Sequence, residues 1–83
     1  MSKTKAGTHR PLPTTTAQTL ASRLRYLREQ AGLTQEQVAG TADVSVQMVR
    51  RLEAGTANPT LGTLHAVTTA LDIAWTDLFV EIK

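Results

Sequence analysis

The stretch LTQEQVAGTADVSVQMVRRLEAG, residues 33–55, carries the signals for two short helices joined by a tight turn. Thr34 and Gln37 have the spacing of a capping box, in which the Thr hydroxyl binds a backbone amide of the first turn and the Gln side chain reaches back to the cap. The first of the two helices is therefore predicted over about 35–42.

The second of the two helices follows almost at once. Ser45 offers a new N-cap only eleven residues after Thr34, because its hydroxyl can accept a hydrogen bond from a first-turn amide. Asp43 precedes it and is one of the few non-glycine residue types that tolerate a left-handed backbone. Gly55 supplies the stop, so this helix is predicted over about 45–54.

Apolar residues at helical spacing predict further helices on both sides of this pair. The first helix is expected to start at one of the threonines 14–16 and to run to about Ala31, before Gly32. Another helix is expected to start after Thr60 and to end at Asp72. The apolar faces of these two helices are Leu20, Leu24, Leu27 and Ala31, and Leu61, Leu64, Val67 and Leu71.

The composition restricts the classes of function. The chain has 83 residues, and a chain this short buries only roughly 60 to 65% of its unfolded surface, which leaves little room for a catalytic cleft. The absence of cysteine excludes disulfides and thiolate metal sites. No stretch approaches the ~20 apolar residues of a membrane span. We therefore expect a soluble protein that uses no metal or cofactor and has no membrane partner.

The positive charge is concentrated at the N-terminus. Residues 1–17 are predicted to form a flexible basic arm with Lys3, Lys5 and Arg10. The remaining domain, 18–83, has six basic against seven acidic residues, a net charge of −1, although the whole chain has +2. Binding to a polyanion must then depend on a few well-placed arginines, helix N-termini, the arm, or two copies of the chain.

The C-terminal segment, about 73–83, is richer in apolar side chains than one face of a short helix can hide. We interpret it as a dimerisation segment, because a large exposed apolar patch is typical of an interface. The alternative is that Trp75 and Phe79 simply close the core. The predicted interface residues are Trp75, Leu78, Phe79, Val80 and Ile82.

Several motifs agree in order and spacing with one known family. They are LTQEQVA at 33–39, Ser45, Val49, LEAG at 52–55, Pro59 and LGTLHAVTTAL at 61–71. Together they resemble the lambda-repressor-like, XRE-type helix-turn-helix family over roughly residues 20–79. The resemblance implies an all-α fold, a compact five-helix bundle, in which the second and third helices form the DNA-reading pair, usually in a homodimer.

The resemblance also implies which residues meet double-stranded DNA. The base-reading residues would be the outer face of the third helix, namely Val46, Gln47, Arg50 and Arg51. Gln47 and Arg51 are the principal readers by resemblance, and their chemistry suits adenine and guanine respectively. Val46 would meet either a thymine methyl group or a sugar, and Arg50 either a base or a phosphate.

Contacts to the DNA backbone are expected from residues around this helix. Gln35 resembles a phosphate-contacting glutamine of the family, and the alternative is that it only serves the helix cap. Ser45 is a stronger candidate for a cap than for a DNA contact. Asn58 and Thr60 resemble the loop that grips the other side of the groove, although Asn-Pro-Thr also simply makes a turn and a cap.

Two further sets of charged residues have open alternatives. Arg28 and Glu53 match the positions of a structural ion pair in some family members, and the alternative is two solvated charges. Lys3, Lys5 and Arg10 would follow the groove if the arm contacts DNA, and the alternative is a disordered tail.

The function implied by the resemblance is a sequence-specific transcriptional regulator, of repressor or controller type, that binds a palindromic operator as a homodimer in the cytoplasm at the nucleoid. The alternative is an antitoxin whose main partner is a protein toxin, with autoregulatory DNA binding. A restriction-modification controller and a phage repressor fit the same small size. An enzyme is disfavoured because no catalytic constellation is visible.

Overall fold

The computed structural model describes residues 12–79, and of Trp75 and Phe79 it describes the backbone only. This part of the chain forms four α-helices, α1 (Thr14–Gln30), α2 (Gln35–Ala42), α3 (Val46–Ala54) and α4 (Leu61–Ala70), followed by a 3₁₀ helix (Trp75–Phe79). No strand occurs between residues 12 and 79. The predicted all-α class is confirmed, whereas the predicted count of five α-helices is wrong.

The segment after α4 forms only a 3₁₀ helix because it is short. Asp72 adopts a left-handed backbone with φ 58° and ends α4, as its position in the sequence predicted. The amide of Asp77 then donates to the carbonyl of Ala74 at 2.9 Å, a bond between residues three apart. Short helical segments commonly adopt this tighter winding, so the fifth element adds five residues without a full α-helix.

The predicted caps of α2 and α3 are confirmed. The Thr34 hydroxyl accepts from the amide of Gln37 at 3.0 Å, and the Gln37 side chain accepts from the amide of Thr34 at 2.8 Å. The Ser45 hydroxyl accepts from the amide of Met48 at 3.0 Å, so α3 begins one residue later than expected. Asp43 has the left-handed φ of 58° that the tight turn requires.

The core lies where the four helices meet. α3 packs against α1 and α2, α2 packs against α4, and the 3₁₀ helix packs against α1 and α4. Each helix therefore contributes one buried face. The core residues are Leu24, Val38, Ala39, Val49, Leu52, Leu64, Val67, Leu71 and Leu78.

The predicted start of α1 among the threonines 14–16 is confirmed, because the helix begins at Thr14 after Pro13. Residues 14–17, which were also predicted to belong to the arm, are therefore helical, and Ala17 is buried. Pro13 is the N-cap residue, with a φ of −55° and a non-helical ψ of 145°, so the helix starts directly after it. Arm residues Lys3, Lys5 and Arg10 lie outside the described residues.

The buried face of α1 also differs in part. Ala17, Ala21 and Leu24 are buried, whereas Ala31, which the apolar spacing placed on the same face, is exposed. α1 ends at Gln30, and Gly32 follows with a φ of 72°, so the chain turns away before Ala31 can join the core. None of the helices within residues 12–79 combines the length and the apolar character needed to cross a membrane.

Candidate nucleic-acid interface

The third helix presents a polar face to solvent. Val49 and Leu52 on its inner side are buried in the core, with 2% and 3% of their surface exposed. Gln47, Arg50 and Arg51 are exposed on the opposite side. Because residues three and four apart share a face of an α-helix, these three side chains form one patch. We call Gln47, Arg50 and Arg51 the polar face of α3.

Val46 does not belong to the polar face. It is half-buried and packs against the core, so its predicted place on the outer face is wrong in part. Val46 lies one helical turn before Val49, at the edge of the buried stripe, and an apolar side chain there gains from contact with the core.

The orientation of α3 is fixed by a buried ion pair at its C-terminal end. The guanidinium of Arg28 on α1 donates from Nε to Oε2 of Glu53 at 2.6 Å and from Nη2 to Oε1 at 3.0 Å. The side chains of Arg28 and Glu53 are only 14% and 7% exposed. Arg28 also donates from Nη1 to the carbonyl of Leu33 at 2.7 Å. The pair implied by the resemblance is therefore present and buried, not two solvated charges.

The same pair reaches the start of α2. The side-chain amide of Gln35 donates to Oε1 of Glu53 at 3.1 Å, so one carboxylate joins α1, α2 and α3. The hydrogen bonds to Glu53 raise the pKa of Arg28 above its ordinary value. We call Arg28, Glu53 and Gln35 the buried polar network. Through it, a shift of α3 would disturb both preceding helices.

The bond from Gln35 to Glu53 was not predicted from the sequence. The sequence assigned Gln35 to a phosphate or to its own cap, and the structure shows its amide on Glu53. A side-chain amide has two hydrogens, and only one is needed for Glu53. The phosphate contact by Gln35 stays a prediction that this geometry permits.

A second ion pair crosses from α2 to the polar face of α3. Nη2 of Arg50 lies 3.3 Å from Oε2 of Glu36, and both side chains are well exposed, by 51% and 64%. The two residues are fourteen positions apart in the sequence. No cap, motif or helical spacing connects them, so no pattern in the sequence predicts this contact.

An open cleft of about 530 Å³ lies beside the polar face. Its walls come from α1, the start of α2 and the end of α3. They are formed by Arg25, Arg28, Leu33, Thr34, Gln35, Arg50, Glu53 and Ala54. The N-terminal end of α2 in this wall suits contact with an anion, because amides and the helix dipole favour negative charge there. The three arginines of the cleft are each paired with a glutamate.

The remaining predicted backbone contacts serve local structure in the isolated chain. The Thr60 hydroxyl accepts from the amide of Thr63 at 3.0 Å and caps α4. The Ser45 hydroxyl caps α3 in the same way. Asn58 is exposed in the loop between α3 and α4. Their contacts with DNA stay predictions.

Leu78 is not an interface residue of the kind predicted. It is 3% exposed and belongs to the core cluster, because the 3₁₀ helix packs against α1 and α4. A side chain already buried within one chain has no surface left for a second copy. The side chains of Trp75 and Phe79, and residues Val80 and Ile82, lie outside the described residues.

Comparison with known protein sequences identifies the family. The helix-turn-helix family model matches residues 24–78. The HTH-type transcriptional regulator DdrOP3 of Deinococcus deserti is 41% identical over 77% of this chain and 50% of its own length. An uncharacterized HTH-type transcriptional regulator, y4dJ, of Sinorhizobium fredii is 37% identical over 71% of this chain and 77% of its own. This chain thus matches half the length of the Deinococcus protein.

Solved structures agree with this assignment. The restriction-modification controller protein C.AhdI from Aeromonas hydrophila has a TM-score of 0.77 and 34% identity to this chain. The similarity covers 78% of this chain and 98% of the controller protein. The chain therefore belongs to the XRE-type, lambda-repressor-like helix-turn-helix family of DNA-binding transcription regulators.

Proposed function

We propose that this protein is a sequence-specific transcriptional regulator that inserts α3 into the major groove of its operator. The observation that carries the proposal is the polar face of α3, held at a fixed angle by the buried polar network. Gln47 and Arg51 are the base readers, since Gln pairs well with adenine and Arg with guanine. Val46, at the edge of the core, contacts a thymine methyl group or a sugar.

The cleft beside α3 is proposed to receive the sugar-phosphate backbone. In helix-turn-helix proteins the first helix of the pair crosses the backbone while the second lies in the groove. The second hydrogen of the Gln35 amide and the amides at the start of α2 are proposed to bind the same phosphate. On the other side of the groove, Ser45, Asn58 and Thr60 contribute their polar groups and the amides that follow them.

The working unit is proposed to be a homodimer on a palindrome. Residues 18–83 have a net charge of −1, so one copy gains little from attraction to phosphates. Two copies double the contacts and match half-sites separated by one helical turn, about 34 Å. The proposed interface is the apolar C-terminal segment without Leu78, that is Trp75, Phe79, Val80 and Ile82.

Selection of binding sites from random duplex DNA tests the proposal most directly. We expect an enriched palindrome with half-sites one turn apart, and sedimentation equilibrium should show a dimer at micromolar concentration. An enriched single half-site together with a monomer would contradict the dimer but leave base reading intact. No enriched sequence at all would contradict the proposed function.

The arm is proposed to add phosphate contacts through Lys3, Lys5 and Arg10. Deletion of residues 1–11 retains Pro13, which precedes α1, and therefore leaves the start of the domain in place. Each lost phosphate contact reduces the slope of log affinity against log salt by about 0.9. We expect the deletion to lower this slope, and an unchanged slope would show that the arm is only a tail.

Binding to an operator would locate the protein at the nucleoid in the cytoplasm. The alternative function, an antitoxin bound to a protein toxin, has no specific support among the contacts of residues 12–79 and stays a prediction. Purification of the tagged chain from its native host, with mass spectrometry of the proteins that accompany it, tests that alternative.

A further inference from the structure

The Glu36–Arg50 pair connects the first turn of α2 to the polar face of α3. Arg50 is adjacent to Arg51 in sequence and one turn after Gln47, so its guanidinium starts from the same patch as the two proposed base readers. Among the ion pairs of residues 12–79, only one of the three exposed side chains of this patch has an acidic partner on another helix. This asymmetry needs a functional explanation.

Charge decides how this pair behaves next to DNA. Glu36 is exposed in the first turn of α2, the helix end that is proposed to approach the phosphate backbone. An unpaired carboxylate there is repelled by the phosphates, and the repulsion grows when docking excludes water. Arg50 cancels this charge at a distance of 3.3 Å.

Reading a base would remove that compensation. Recognition of guanine by arginine uses two N–H donors of the guanidinium, directed at O6 and N7. Nη2 of Arg50 already donates to Glu36, so a contact with guanine through Nη2 would compete with the pair and weaken the compensation of the carboxylate. Arg51 has no such conflict, because no acidic side chain pairs with it among the ion pairs of residues 12–79.

We propose that Glu36 holds Arg50 out of base reading, which makes Glu36 a specificity-determining residue of the interface. The Glu36–Arg50 pair approaches DNA with no net charge, and Gln47 and Arg51 read the bases of the operator. This inference rests on the proposed function. Because Glu36 compensates the charge of Arg50, the polar face of α3 has a lower net positive charge. The affinity for unrelated DNA therefore stays low.

The test compares Glu36→Gln, Arg50→Gln and the double variant by fluorescence anisotropy, using the selected operator, its single base-pair variants and unrelated duplexes at several salt concentrations. Glu36→Gln should bind every duplex more tightly and steepen the salt slope by about 0.9 for each Arg50 that gains a phosphate. The ratio of operator affinity to unrelated-duplex affinity should fall.

Arg50→Gln should weaken binding to all duplexes by a similar factor and leave the preference at every base-pair position unchanged. The double variant should return to near wild-type affinity and specificity, because both charges are gone. The matched control is Asp72→Asn, which removes one exposed negative charge at the far end of α4 and keeps a residue type that tolerates the left-handed backbone.

Two outcomes would overturn the inference. If Arg50→Gln changes the preference at one base-pair position, and the double variant does not restore it, Arg50 reads that base. If Glu36→Gln has the same effect as Asp72→Asn, the pair has no special role. In both cases the wild-type protein still prefers its operator, whereas failure of the proposed function would remove that preference altogether.

Discussion

Arg28 and Glu53 face each other with two parallel hydrogen bonds, of 2.6 and 3.0 Å, between the fork of the guanidinium and the two carboxylate oxygens. This geometry joins α1 to the last turn of α3 and fixes both distance and angle, which a lysine in place of Arg28 would not do. The position of the polar face of α3 therefore depends on a contact in the wall of the cleft beside it.

Loss of Arg28 should destabilise the fold strongly. Arg28→Ala leaves the buried Glu53 carboxylate without its main partner, and breaking such a pair costs about 3 to 5 kcal/mol. The matched control is Arg25→Ala, because the Arg25–Glu29 pair is 65% and 54% exposed and its loss should cost at most about 1 kcal/mol. Urea unfolding measures both values, and equal losses in the two variants would show that burial of the pair contributes nothing.

Arg51 should determine the identity of one base pair. Arg51→Ala is expected to weaken binding to the operator by about 1 to 3 kcal/mol and to relax the preference at a single position, because a guanine contact is lost. Its side chain is exposed, so stability should hardly change. Anisotropy titrations against the set of single base-pair variants give the result. A uniform loss over all sequences would identify a phosphate contact instead.

The two glycines at residues 40 and 55 should respond to alanine in opposite directions. Gly55 ends α3 with a φ of 76°, so Gly55→Ala should cost about 1 to 2 kcal/mol. Its new Cβ would also meet the flexible end of the Gln18 side chain, which can move away. Gly40 lies inside α2 with no atom within 4 Å of an added Cβ, so Gly40→Ala should stabilise by about 0.5 to 1 kcal/mol. Thermal unfolding of both variants checks the signs, and a shift in the same direction would contradict the argument.

Leu78 should behave as a core residue. Leu78→Ala removes a buried side chain and should cost about 2 to 5 kcal/mol in the free energy of unfolding. Leu61→Ala removes the same atoms from a side chain that is 71% exposed, and we expect a change within about 0.5 kcal/mol. Calorimetry compares the two variants. If Leu78→Ala were as stable as the wild type but no longer formed a dimer, Leu78 would belong to the dimer interface, as the sequence predicts.

The local signals of the sequence predicted the helix-turn-helix well. The cap at Thr34, the cap at Ser45 and the left-handed turn at Asp43 each depend on hydrogen bonds or backbone angles within three or four residues. Interactions between residues this close in the sequence depend only on residue type and spacing. They can therefore be predicted without knowledge of how the helices pack. The resemblance to a family then supplied the one distant pair, Arg28 with Glu53.

The longer-range contacts could not be predicted in this way. Gln35 and Glu53 are eighteen positions apart in the sequence, and Arg50 and Glu36 are fourteen positions apart. Neither spacing corresponds to a turn of one helix. Both contacts exist because α2 and α3 cross at a particular angle. The sequence alone therefore predicts Arg50 as a base reader without its partner Glu36.

The sequence by itself determined where the helices of this protein begin and end, because caps and turns are stabilised by neighbours along the chain. Only the tertiary structure decided which side chains remain available for a partner. In the packed fold Leu78 is buried in the core, Val46 is half-buried against it, and Arg50 forms an ion pair with Glu36. Exposure and pairing depend on the arrangement of several helices, and that arrangement is set by the sum of their buried faces rather than by any single stretch.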